Sequence, residues 1–76
     1  MEERIKKVMA SVFNMDISEI DNDVSPDSIK TWDSLKHMTL VLALEEEFGI
    51  RFKQEQILEL LSFKLILMTL RELLAD

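Results

Sequence analysis

Asp33-Ser34-Leu35-Lys36-His37-Met38-Thr39-Leu40-Val41-Leu42-Ala43-Leu44-Glu45-Glu46-Glu47-Phe48-Gly49 is the stretch that decides the fold. At about 100° per residue, Leu35, Met38, Leu40, Val41, Leu42, Leu44 and Phe48 cover an arc of roughly 220° around a helix. Lys36, Thr39, Ala43, Glu46 and Glu47 occupy the remainder. An arc that wide touches more than one neighbour, so the spacing predicts a central helix running to about Phe48. Asp33 is an N-cap type, and Gly49 suits the left-handed residue that ends a helix. Leu35 lies in the apolar arc and is expected to anchor the first turn, leaving Ser34 near the surface.

On the N-terminal side, Ile5, Val8, Met9, Val12 and Phe13 recur at spacings of three and four, which predicts a first helix over residues 2–14 with Asn14 as its stop. Residues 15–32 have no sustained period and are rich in turn and capping types, from Asp16 to Ser28. Loops of this length are usually functional or disordered. Ile17, Ile20, Val24, Ile29 and Trp32 recur along this one and predict that it is pinned to the core. A connection this long allows the first two helices to run in a similar direction.

On the C-terminal side, Ile50-Arg51-Phe52 is a short link, and Gln54 to about Leu60 fits a brief third helix. Ser62 suits the cap of a fourth helix, Phe63 to Ala75, whose stripe is Phe63, Ile66, Leu67, Leu70, Leu73 and Leu74. Leu65 and Met68 fall outside that stripe. They either pack on the third helix or form a small exposed patch. The expected fold class is all-α: a four-helix bundle with three main helices, a short third one and a long first loop.

Seventy-six residues, 47% of them hydrophobic, support one domain over residues 1–76 whose stability comes from packing. One Gly and one Pro disfavour a many-stranded β fold. No Cys and a single His argue against disulfides and a protein-built transition-metal site. Asp21-Asn22-Asp23 fails as a calcium loop, because Pro26 and Trp32 stand where that motif needs Gly and Glu. No apolar run has the length of a membrane span or the character of a signal peptide, so the expectation is a soluble, cytoplasmic protein; a monomer is expected besides.

The net charge is −6, and residues 14–47 hold nine acids against Lys30 and Lys36. That field repels nucleic acid and steers basic partner surfaces toward this half of the chain.

Ser34 is the candidate functional residue. In the first turn of a helix the backbone N–H groups are unpaired and the macrodipole is positive, so a phosphate ester on its hydroxyl would be well placed. Ser34, His37 and Asp33 do not make a hydrolase: the nucleophile elbow and a Gly-rich oxyanion loop are both missing.

Taken together, a helix, a long acidic loop, Trp32-Asp33-Ser34-Leu35 and then Leu40-Val41-Leu42-Ala43-Leu44-Glu45-Glu46-Glu47-Phe48-Gly49-Ile50 resemble the acyl carrier proteins over essentially the whole chain. The resemblance implies that Ser34, flanked by Asp33 and Leu35, is the attachment point for 4′-phosphopantetheine, installed from coenzyme A by a phosphopantetheinyl transferase that uses Mg²⁺. It implies a non-catalytic carrier of thioester-linked acyl groups. Its partners would be ligase, ketosynthase or acyltransferase types in fatty-acid, polyketide or related specialised biosynthesis. It also implies an interior that takes up an acyl chain, and Met9, Met38 and Met68 would suit such an adaptable core. An unmodified helical adaptor on the same fold is the alternative.

Two departures from the family pattern stand out. Thr31-Trp32 replace the common Gly-Ala, and Lys36, His37 and Thr39 replace acids that usually meet basic partner surfaces. With Trp32, Glu45, Glu46 and Glu47, these residues are the expected partner-recognition set, and they point to a specialised stand-alone carrier. Trp32 is expected either to anchor the loop or to lie exposed beside the arm. His37 is expected at the surface or in contact with the phosphate.

Overall fold

The computed structural model describes residues 1–75. Four α-helices follow one another: α1 (Glu2–Phe13), α2 (Ser34–Phe48), α3 (Gln54–Ile57) and α4 (Phe63–Leu74). A 3-10 turn, Ile17–Glu19, lies in the loop between α1 and α2, and there is no strand among the described residues. This is the helical bundle that the spacing predicts.

The helix ends follow local chemistry. Glu2 and Glu3 sit in the first turn of α1, where a negative charge complements the dipole. Asn14 closes α1 in the left-handed conformation, with φ 55°. Gly49 does the same for α2, with φ 65°. The Ser62 hydroxyl accepts the Leu65 N–H at 3.1 Å and caps α4.

The core is drawn from every segment. Ile5, Met9 and Phe13 of α1 meet Leu40, Val41 and Leu44 of α2 and Phe63, Ile66, Leu67 and Leu70 of α4. Ile20, Val24, Ile29 and Trp32 are buried too, so the acidic loop is pinned as its apolar spacing predicts, although Ile17 stays exposed. No polar or charged residue is buried among the described residues.

Four expectations are corrected. First, α1 and α2 run antiparallel. Lys36, in the first turn of α2, donates through Nζ to the Val12 carbonyl at the end of α1 (3.2 Å). Arg4, near the start of α1, donates to the Glu47 carboxylate and backbone carbonyl at the end of α2, both at 2.8 Å. The loop therefore leaves and returns at one end of the bundle, and its length is used in folding onto the core.

Second, α1 packs closely on α2, α4 and the 3-10 turn, whereas the close packing of α2 is on α1. The arc of α2 is split: Leu40, Val41 and Leu44 are buried, whereas Leu35, Met38 and Leu42 are exposed.

Third, α3 stops at Ile57. The Glu59 and Leu60 N–H groups bond three residues back, to the Gln56 and Ile57 carbonyls, and the Leu61 N–H bonds the Glu59 carbonyl. The Ile57 carbonyl that a longer helix would offer to Leu61 instead meets the Leu60 N–H and the His37 ring.

Fourth, α4 ends at Leu74, one residue short of the predicted end, and Leu74 is itself exposed. Leu65 and Met68 are exposed, the second of the two readings open for them, and of Met9, Met38 and Met68 only Met9 lies in the interior.

Candidate functional site

The loop enters α2 through Trp32, which is buried with its ring centroid 4.9 Å from that of Phe13. Of the two expectations for Trp32 the structure selects the anchor. A side chain 6% exposed offers little surface for partner recognition. Asp33 follows in extended conformation, and its Oδ1 accepts the Lys36 N–H at 2.8 Å, the N-cap bond expected of it. Its backbone carbonyl accepts the His37 N–H at 2.8 Å, the first turn of the helix proper.

Ser34 is the first residue of α2 and is exposed. Among the described residues its hydroxyl has no hydrogen-bond partner, and the N–H groups of Ser34 and Leu35 have no acceptor. A nucleophilic oxygen therefore stands in solvent in the turn that holds two unpaired amides, at the positive end of a fifteen-residue helix. An anion esterified there gains from both the amides and the dipole.

Leu35 does not anchor this turn. It is 75% exposed, with Met38 and Leu42 on the same side of α2. Relative to Ser34 these three lie at about 40° to 100° around the helix, while Leu40, Leu44 and Val41 lie at about 240° to 340°. The bundle has room to cover only the second group. Thr39 is exposed and turns its hydroxyl back on the helix, donating to the Leu35 carbonyl at 3.0 Å.

The anchoring falls instead to two residues expected to face partners. Lys36 reaches across to the Val12 carbonyl and serves as the cation at the C-terminus of α1, whose own last turn has no basic residue. His37 is half-buried, neither a surface residue nor aimed at Ser34. Its Nδ1 accepts the Trp32 indole N–H at 3.0 Å, and its Nε2 lies 2.7 Å from the Ile57 carbonyl oxygen. With both ring nitrogens engaged, His37 is not available as a base for Ser34.

The acidic run divides in the same way. The Glu45 carboxylate accepts the Phe52 N–H at 2.9 Å and is only 12% exposed, so it is turned inward and not toward partners. Glu47 is held by Arg4, whose guanidinium also lies 4.5 Å above the Phe48 ring. Glu46 is exposed and forms no ion pair among the described residues.

Beside Ser34 opens an apolar groove of about 450 Å³. Pro26 and Trp32 of the loop, His37 and Met38 of α2, and Ile57, Leu58 and Leu61 from α3 onward bound it. The sequence signal for Leu58 and Leu61 is faint: they are two large apolar residues in a segment too short to show a period. No sequence signal points to the Ile57 carbonyl, because a backbone acceptor carries no residue type.

No group of acidic and His residues among those described is arranged to hold a metal ion. Among the described residues no helix is long and apolar enough to cross a membrane. The bundle thus presents an exposed serine at a capped helix start, beside an apolar groove. The family model described as the phosphopantetheine attachment site matches residues 3–75, nearly the whole length, and the chain belongs to that family, whose domain is the attachment site for covalently bound 4′-phosphopantetheine.

Proposed function

We propose that Ser34 is the attachment residue and that the chain is an acyl carrier protein of specialised biosynthesis. In loading, the Ser34 Oγ attacks the β-phosphate of coenzyme A. A phosphodiester forms, adenosine 3′,5′-bisphosphate leaves, and the hydroxyl proton passes to a base of the transferase. The terminal thiol of the arm then holds acyl groups as thioesters for ligase, ketosynthase or acyltransferase partners. The observation that carries this reading is the exposed, unpartnered Ser34 hydroxyl in the same helix turn as the unpaired N–H groups of Ser34 and Leu35.

The partner set follows from what surrounds that hydroxyl. Lys36 and His37 are turned inward, Glu45 and Glu47 are engaged, and the facet beside Ser34 is Leu35, Met38 and Leu42. Such a surface is recognised by apolar contact more than by charge, unlike the acid-lined helix of common fatty-acid carriers.

Incubation of the apo protein with coenzyme A, Mg²⁺ and a broad-specificity phosphopantetheinyl transferase tests the assignment. Intact mass is expected to rise by one phosphopantetheine in the wild type and to stay unchanged in Ser34→Ala. An unmodified wild type, under conditions that load a control carrier, would leave the adaptor reading standing. The same assay at rising salt reads the facet: an apolar interface keeps its KM nearly constant, and a steep rise would assign recognition to charge.

A further inference from the structure

We propose that His37 is a positioning residue that latches the loop before Ser34 to α3 and so fixes the shape of the groove into which the Ser34 arm emerges. The proposal rests on the reading of Ser34 as the attachment residue. An indole N–H only donates and a backbone carbonyl only accepts. His37 meets one of each, at 3.0 Å and 2.7 Å. The neutral ring protonated on Nε2 alone satisfies both partners: Nδ1 must be bare to accept from Trp32, and Nε2 must carry the proton to donate to Ile57. Lys and Arg have no acceptor, and Asn or Gln reaches one partner in place of both. The position therefore calls for an imidazole.

Both partners of the imidazole are walls of the groove. Trp32 lies two residues before Ser34, and Ile57 is the last residue of α3. A four-residue helix is far too short to hold itself. Among the described residues, His37 makes the only side-chain hydrogen bond that reaches α3 from another helix. Without it, α3 is held only by apolar packing, of Ile57 within the helix and of the buried Phe52 and Leu60 that flank it, and the groove loses the one directional bond on that wall.

The experiment separates the two bonds. Asn places an acceptor near the Nδ1 position and drops the Ile57 bond. Gln places a donor near the Nε2 position and drops the Trp32 bond. Hydrogen exchange is read at the Ile57 and Leu58 amides, and transferase loading is read as KM and kcat. His37→Asn and His37→Ala are expected to speed exchange about tenfold, the value of one hydrogen bond, while His37→Gln keeps the protection. His37→Ala is expected to raise the loading KM severalfold with kcat within about twofold, and His37→Gln to restore part of the KM. The ¹⁵N spectrum of the wild-type ring is expected to show the neutral Nε2–H form.

Equal exchange in the Asn and Gln variants overturns the latch, as does a ring protonated on Nδ1. A KM unchanged in all three variants overturns the positioning role. If the wild type is not loaded at all, it is the Ser34 assignment that fails, and the exchange pattern still decides the latch on its own.

Discussion

Glu45 makes two contacts of very different worth, and substitution separates them. Its carboxylate accepts the Phe52 N–H at 2.9 Å, and Phe52 is buried. It also lies 3.9 Å from the Arg51 guanidinium, whose side chain is 90% exposed. Removing the acceptor in Glu45→Ala leaves the buried N–H unpaired, which costs about 1–3 kcal/mol. The better helix propensity of Ala returns a few tenths of a kcal/mol, so the expected loss is about 2 kcal/mol. Glu45→Gln keeps a neutral acceptor and is expected to lose about 1 kcal/mol or less. Arg51→Ala removes an exposed, long ion pair and is expected to cost below about 0.5 kcal/mol. A chain of 76 residues has a total stability of roughly 4–11 kcal/mol, so Glu45→Ala removes a substantial share of it. The assay is urea unfolding with a parallel thermal melt, in which about 2 kcal/mol corresponds to a Tm lower by roughly 8–16 °C. An Arg51→Ala variant as unstable as Glu45→Ala would refute the reasoning, because the ion pair would then carry the energy assigned to the buried N–H.

Gly49 stands at φ 65° with open space where a Cβ would project, so Gly49→Ala is expected to cost only the backbone penalty, about 1–2 kcal/mol; a loss beyond that in urea unfolding would show a contact the geometry excludes. Asp33→Ala removes the cap at the Lys36 N–H and is expected to cost about 1 kcal/mol, whereas Asp33→Asn keeps an acceptor and loses less. Equal losses in the two melts would assign the effect to charge and not to the cap.

The helices were legible in the sequence because period, cap and stop agree with one another. Asn14, Asp33, Gly49 and Ser62 all stand at the boundaries their chemistry predicts. The candidate serine was legible for the same reason, since a first-turn position needs only Asp33 before it. What the sequence did not disclose is which half of a wide apolar arc the bundle covers. Leu35 and Leu40 are the same residue type five positions apart, and only the placement of α1 decides that one is exposed and the other buried. Lys36 and His37 misled by type: charged and polar residues near a helix start read as surface, yet long side chains reach inward when an acceptor waits there. Those acceptors, the Val12 and Ile57 carbonyls, belong to helix ends that the sequence places only approximately.

The crossed helix ends also bear on how the molecule opens. Lys36 ties the start of α2 to the end of α1, Arg4 ties the start of α1 to the end of α2, and His37 ties the first turn of α2 to the end of α3. Helix tips ordinarily fray on their own, at free energies far below that of global unfolding. Here a tip that frays takes a neighbour's bond with it. Opening at either end of α2 therefore breaks a bond to a neighbouring helix, which raises the free energy of fraying there. If Ser34 holds the arm, as proposed, its load would hang from a turn tied to two neighbouring helices.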